Sequence, residues 1–422
     1  MSTILKKISS GEYLKDIIAL SIGSILAQLI MIIVSPIITR IYTPAELGAY
    51  TLLMTVIFVI GPNINGRYDY AIVSSQDKTE ADALTVTSIF VCFVMTIIIG
   101  VFLTIIYFFD QKIFKDIGLW IFILIPILLI TGLTNILISF NNKYKQYKLI
   151  SSVSVTRSIA QAIGQVLFGL IGLGASGLYV SQLLSSLLGI KKQSEYFIKD
   201  YKSLLSIKKE EVIKVFIKYK KQPIYSLPAN VMNALSFSLT YFFITSLYGL
   251  NEVGYYSLCQ RILGLPITLI CMNVARVFFR KASETKKEKG NFFPVLIKTI
   301  PTLSLLSLPI FLVLYLFADK LFLLVFGPSW EVAGKYVQIM SPMFAFRFII
   351  VPVMSSLIVG GKQNLELVMQ SVFIILSCAI FLLTKMFNYS IETYLLLTTI
   401  TFSINYIIIL FVIIRISKLK NQ

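Results

Sequence analysis

Histidine is missing altogether from the 422 residues, and with it go the commonest general base, the usual pH switch and most zinc sites. Conventional hydrolytic chemistry is therefore not expected, and neither a metal nor a cofactor is implied. Cysteine is scarce: Cys92, Cys259, Cys271 and Cys378 all fall inside apolar runs, with no CxxC spacing. That argues against disulfides and metal binding and leaves packing as their role. Acidic residues number only 20 against 38 lysines and arginines. No GxxxxGK[ST] segment is present and no soluble stretch could host a nucleotide, which excludes an ATP-driven exporter.

Charge as a whole is low. Charged residues make up 14% and hydrophobic residues 57%, with a mean hydropathy of +0.83, against roughly 25% and 45–50% in soluble domains. A soluble fold is excluded. What fills the chain instead is a series of apolar runs, each long enough to cross hydrocarbon. They lie near 17–40, 45–73, 83–108, 117–139, 149–171 and 174–191, then 224–248, 253–279, 292–317, 333–359, 365–386 and 393–414. The first is too long for a removable signal peptide and lacks its small-residue cleavage site, so it is read as a span. Pro36, Pro126, Pro266 and Pro352 sit inside runs and predict kinks there.

The expectation is an all-α integral membrane protein of about twelve transmembrane helices. With the N-terminus inside, 26 of the 38 basic residues fall in cytoplasmic segments and six in outer loops. The positive-inside rule thus supports cytoplasmic N and C termini and an even number of crossings. It also explains the net charge of +18 without nucleic acid. Ten of the lysines crowd into 191–221. That run reads both as a topological anchor on anionic headgroups and as an amphipathic helix lying on the membrane between two halves.

One internal match stands out. Glu46-Leu-Gly48-Ala-Tyr50-Thr-Leu52 and Glu252-Val-Gly254-Tyr-Tyr256-Ser-Leu258 both read E-[LV]-G-x-Y-[ST]-L, and both open an even-numbered span after an outer loop. Two six-helix lobes in parallel orientation, with a cavity at their interface, are expected. The division is residues 1–195 for the first lobe, 196–222 for a basic linker and 223–422 for the second.

Six basic residues fall within or at the inner ends of spans: Arg67, Arg157, Arg261, Arg276, Lys298 and Arg347, with Arg40 at the outer end of the first. Intramembrane charge is costly and normally faces protein or water. Snorkelling to a nearby interface is one reading of Arg40 and Arg276 and the favoured one for Lys298. An ion pair with Asp69 is one reading of Arg67, although residues two apart on a helix do not face each other. Arg261 and Arg347 stand near mid-span, either bonded to carbonyls at a helix break or lining a cavity for an anion. Guanidinium groups with few carboxylates nearby suit a phosphate-bearing headgroup. Tyr225, Ser226, Asn230, Asn233 and Tyr241 would meet hydroxylated surfaces, or serve as interhelical glue.

Several blocks together carry a resemblance. They are Ser35-PIITRIYTPAELGAY, GRYDYAIV from Gly66, NNKYKQYKLISSVSVTRS from Asn141, KKQPIYSLPANVMNALS from Lys220, VGYYSLCQRILGLPITLI from Val253, RVFFRKAS from Arg276 and FGPSWEVAGKYVQIMSPMFAFRFI from Phe326. In order and spacing, over about 11–414, they resemble the polysaccharide and O-antigen flippase branch of the multidrug/oligosaccharidyl-lipid/polysaccharide (MOP, MATE-like) superfamily. The resemblance implies a V-shaped pair of lobes moving undecaprenyl-pyrophosphate-linked oligosaccharide to the outer leaflet of a bacterial cytoplasmic (inner) membrane by alternating access. It assigns the anionic lipid to Arg67, Arg261 and Arg347, then to Arg40 and Arg276, with Asp69 the one inner carboxylate. Partners implied are the lipid-linked glycan, the bilayer, and the polymerase and glycosyltransferases of the same pathway. Relatives that flip the peptidoglycan precursor have two further spans, absent here. A cation-coupled multidrug antiporter of the same fold is the alternative, and it would need embedded carboxylates that are sparse. A membrane glycosyltransferase or polymerase would need a catalytic cluster on a sizeable outer loop, so no enzyme is expected.

Overall fold

The computed structural model describes residues 11–109, 117–199, 207–362 and 364–419, with the side chains of 11–22, 196, 199 and 237 not described. Lys6, Lys7, Lys112, Lys115, Lys202 and Lys420 from the charge count, and 200–206 of the expected linker, lie outside the described residues. Everything regular among those residues is helical. The first eight helices are α1 (Gly11–Ile41), α2 (Pro44–Ile60), α3 (Tyr68–Ser74), α4 (Lys78–Phe109), α5 (Leu124–Lys143), α6 (Tyr147–Leu170), α7 (Ala175–Leu187) and α8 (Lys209–Lys218). There follow α9 (Leu227–Tyr248), α10 (Leu250–Pro266), α11 (Met272–Lys289), α12 (Phe293–Phe326), α13 (Glu331–Val353), α14 (Asn364–Phe387) and α15 (Ile391–Lys418).

Nine helical stretches among the described residues are long and apolar enough to cross a membrane. A tenth is added if Gln222–Ser236 and Ser238–Tyr248, bent by 47°, form one span. The other two expected spans correspond to α6, rich in Ser, Thr and Gln, and to α7, only 13 residues long. The surface is apolar where a soluble protein's would be charged. Phe90, Ile97, Phe102 and Phe108 of α4 are exposed, while Thr85, Ser88 and Thr96 of the same helix are buried. Those hydroxyls donate to carbonyls four residues back at 2.7–2.8 Å, so burial leaves them satisfied.

The proline sites show how freed backbone groups are recovered. Pro36 cannot donate to the Ile32 carbonyl, and the Ser35 hydroxyl donates to it at 2.6 Å, so α1 continues unbroken. Pro352 frees the Phe348 carbonyl, which accepts from the Cys271 thiol at 3.2 Å. Pro266 is followed by a π-helical turn over Ile267–Cys271, which divides the single expected span 253–279 into α10 and α11. Pro126 lies in the first turn of α5, where little intrahelical bonding is lost.

Packing divides the chain into two compact units. The first comprises the described residues up to Tyr42 with Leu52–Ala234, the second Thr43–Thr51 with Leu235 onward. Two segments, 207–234 and Thr43–Thr51, pack away from the residues that follow them in the chain. Residues 207–234 stay with the first unit because α8 is pinned there: Val215 enters a cluster with Tyr68, Ile72, Leu84 and Ile136, and the Tyr68 hydroxyl donates to the Phe216 carbonyl at 3.2 Å. Lys218 pairs with Glu80, which also accepts from the Tyr219 hydroxyl at 3.2 Å. The Lys218–Glu80 hydrogen bond holds the Lys218 ammonium above its ordinary pKa. The amphipathic segment read from 191–221 is thus not one helix: the described parts are Ile190–Gln193, Glu195–Lys199 and the docked α8.

Thr43–Thr51 joins the second unit because of the repeated motif. A Cβ on Gly48 would stand 1.9 Å from the Leu250 carbonyl oxygen, and one on Gly254 would stand 1.9 Å from the Pro44 carbonyl oxygen. Each glycine meets the residue four before the other, so the crossing of α2 and α10 is reciprocal. The motif glutamates sit in the first turns of these helices. Glu46 closes a capping box with Thr43, accepting from its backbone N–H at 2.8 Å. Glu252 accepts from the Tyr336 hydroxyl. Tyr50 and Tyr256 are both buried.

Candidate functional site

The second expected span, 45–73, is broken rather than continuous. After α2 come a 3-10 turn over Gly61–Asn63, then Gly66 and Arg67 with φ of +61° and +64°. Gly-Pro-Asn-Ile-Asn-Gly at 61–66 is a breaker-rich run, and that signal was available in the sequence. Two asparagines answer for carbonyls freed at the break, and a third ties the break to α5. Asn63 donates to the Val59 carbonyl at 2.8 Å, Asn135 to Gly61 at 3.1 Å, and Asn65 to Gly132 at 3.0 Å. Asn230 in turn donates to the Asn63 side chain at 3.1 Å.

This break positions the predicted Arg67 and Asp69. Arg67 caps α3 in the left-handed conformation, not within a helix, and its guanidinium lies 3.7 Å from the centre of the Tyr70 ring. Its Nε is buried without a partner. Asp69, on the first turn of α3, is 2% exposed, and its Oδ1 also lacks a partner. The Arg67 charge and backbone N–H groups of Asp69 and Tyr70 face this carboxyl. The pair therefore interacts through space without a direct ion pair between them, in a polar node inside the first unit.

In the second unit Arg261 and Arg347 stand on α10 and α13, two helices that pack against each other. The charges of both bear on the Tyr241 hydroxyl of α9, and that of Arg261 also bears on Tyr50. Both arginines are half-buried. The Arg347 guanidinium stands 5.3 Å from the Phe344 ring centre, and its charge reaches Tyr406 of α15. Tyr241 packs edge-on against Tyr256 at 5.0 Å, and Tyr256 accepts from Gln260. Two guanidinium groups amid phenols give a cationic, hydrogen-bonding patch able to fork onto oxyanions. Arg40, in the last turn of α1, and Arg276, on α11, are exposed. Tyr225 is exposed as well. Among the described residues no group of histidine, cysteine or acidic side chains could hold a metal ion.

Long apolar helices with large hydrophobic side chains on their exposed faces, and polar nodes at helix breaks, define a multi-pass membrane protein. Comparison with known structures agrees in fold. An inward-facing multidrug resistance MATE family transporter of the MOP superfamily superposes with a TM-score of 0.72 over 94% of this chain and 93% of that one, at 16% identity. The lipid II flippase MurJ, in an inward closed conformation, gives 0.70 over 95% and 87%, at 17% identity. A MOP superfamily transporter from Pyrococcus furiosus, described as having a binding pocket of reverse polarity, gives 0.65 over 97% of each chain, at 16% identity. The family model described as polysaccharide biosynthesis protein matches residues 15–335, and the chain belongs to that family. The teichuronic acid biosynthesis protein TuaB of Bacillus subtilis (strain 168) is 24% identical over 141 residues, 33% of this chain. That match spans 29% of the curated relative's length.

Proposed function

We propose that this protein is a flippase that moves undecaprenyl-pyrophosphate-linked oligosaccharide repeat units, of O-antigen, capsule or a similar polymer, from the cytoplasmic to the outer leaflet. In this reading residues 1–195 and 223–422 act as two six-helix lobes, joined by 196–222, that alternate access across a bacterial inner membrane. Twelve crossings and cytoplasmic termini go with it. Glycosyltransferases supply the substrate on one side and a polymerase consumes it on the other.

The observation that carries the proposal is membership of the polysaccharide biosynthesis family, and the half-buried Arg261 and Arg347, on the packed helices α10 and α13, are the cations it draws on. A pyrophosphate moving through hydrocarbon loses its water, and guanidinium groups that stay charged when desolvated replace part of that hydration. Membership of the polysaccharide biosynthesis family supports a glycan cargo. No covalent step is needed. Arg67, Asp69, Arg40 and Arg276 are assigned to the same anionic lipid, Arg67 first among them.

The test is export. In a strain lacking the chromosomal copy, Arg261→Ala and Arg347→Ala should each cut surface polysaccharide tenfold or more at equal protein level, and the Lys variants should retain part of it. Full export in both Ala variants removes these arginines from the mechanism. The antiporter alternative has one observation in its favour, the buried Asp69 carboxyl. It predicts altered drug resistance, with surface polysaccharide unchanged, on deletion.

A further inference from the structure

A second polar chamber lies wholly inside the first unit, between α1, α5, α6 and α7. Its volume is about 400 Å³, and it is walled by eight hydroxyl side chains, three primary amides, four aliphatic residues and one guanidinium, with no carboxylate. Such a lining is unusual for a space between apolar membrane helices, where each polar group must find a partner. The volume is within the range of sites for small organic ligands.

The guanidinium is that of Arg157, the intramembrane cation to which the function proposed above gives no task. It stands ten residues past the start of α6, roughly 15 Å along its axis. Its Nε donates to the Leu188 carbonyl at 2.7 Å, just where Gly189, with φ of +78°, turns the chain out of α7. Its Nη2 donates to the Thr134 hydroxyl at 3.3 Å. These contacts fix the plane of the group and use two of its five donors, leaving three for a ligand oxygen.

The walls complement that donor with acceptors. The Ser186 hydroxyl proton is committed to the Gln182 carbonyl at 2.6 Å, and that of Thr131 to the Ile127 carbonyl at 2.7 Å. Ser186 also accepts from the Gln182 amide at 3.4 Å, which leaves it one lone pair, and the Thr131 oxygen keeps its own, to receive hydroxyl protons from a guest. Gln161 is tied to Gln182 at 2.7 Å, which stiffens the amide wall. One fixed positive charge with no counter-ion in the lining, surrounded by acceptors, selects a guest with one oxyanion and several hydroxyls.

We infer that this chamber is a binding site for a sugar-sized oxyanion, a monosaccharide unit bearing a carboxylate or a phosphate, with Arg157 holding the anionic oxygen and the Ser, Thr and Gln walls holding the hydroxyls. Binding here does not depend on whether the chain flips lipid, because free sugars suffice to read it.

Full-length protein in nanodiscs is titrated calorimetrically with glucuronate, glucose 1-phosphate, glucose and inorganic phosphate. Glucuronate or glucose 1-phosphate should bind at least tenfold more tightly than glucose, and the better of the two tells which oxyanion the site prefers. Arg157→Gln should erase that preference. Arg157→Lys, keeping the charge without the fork, should retain part of it. Because Arg157 also braces Leu188, Ser154→Phe serves as a second variant: it fills the chamber while leaving the guanidinium in place, and should abolish binding. Equal binding of glucuronate, glucose 1-phosphate and glucose, binding of inorganic phosphate as tight as that of either sugar anion, or unchanged binding in monodisperse S154F protein would each overturn the assignment.

Discussion

Gly48→Ala adds a single methyl group at the place where α2 and α10 cross, and the structure fixes what that methyl meets. Its carbon would lie 1.9 Å from the Leu250 carbonyl oxygen and 2.9 Å from the carbonyl carbon. Cβ atoms essentially never come within 3.0 Å of another heavy atom, so the helices must part by about 1 Å, and backbone has no rotamer by which to move aside. Overpacking of this kind costs about 1–3 kcal/mol, and a rigid neighbour places it near the top of that range. The crossing is reciprocal, so Gly254→Ala, facing the Pro44 carbonyl at the same distance, should cost as much. One separation relieves both clashes, so the double variant should lose less than the sum of the singles. Gly264→Ala is the control, since its Cβ would meet nothing within 4 Å and alanine is the better helix former by up to about 1 kcal/mol. Thermal unfolding of detergent-purified protein reads the series. Gly48→Ala and Gly254→Ala should melt several degrees lower, at roughly 2–4 °C per kcal/mol, and Gly264→Ala should melt at or above wild type. If all three melted together, the close approach of the two helices would be refuted.

One further outcome follows from the broken second span. Asn65→Ala removes the 3.0 Å bond to the buried Gly132 carbonyl, which keeps its own helical partner within α5, so the loss should be about 0.5–1.5 kcal/mol; an unchanged melting temperature would refute a stabilising role for this bond.

Much of the architecture follows from sequence because a bilayer leaves few choices. Apolar runs of about twenty residues must be helices there, since only a helix satisfies its own backbone groups in hydrocarbon. That is why helices are found in each predicted stretch and the four cysteines turn out to be free thiols within the helix packing. The E-[LV]-G-x-Y-[ST]-L repeat was visible as a pattern of letters. Its meaning was not, because the reciprocal approach of Gly48 and Gly254 joins residues some two hundred positions apart.

Sequence by itself therefore determined the class of protein, the helical elements and the presence of arginines inside them, all of which depend on local composition and on the cost of polar groups in lipid. Tertiary structure alone decided which charges meet. It set Arg261 and Arg347 on two packed helices and Arg67 at a left-handed cap, turned Arg157 into a chamber of hydroxyls and gave α8 to the first unit. Apolar patterning fixes where a helix begins and ends, but in a helix hydrophobic all round it says little about rotation. The direction in which a side chain points is settled by the close-packed neighbours, and these come from distant parts of the chain.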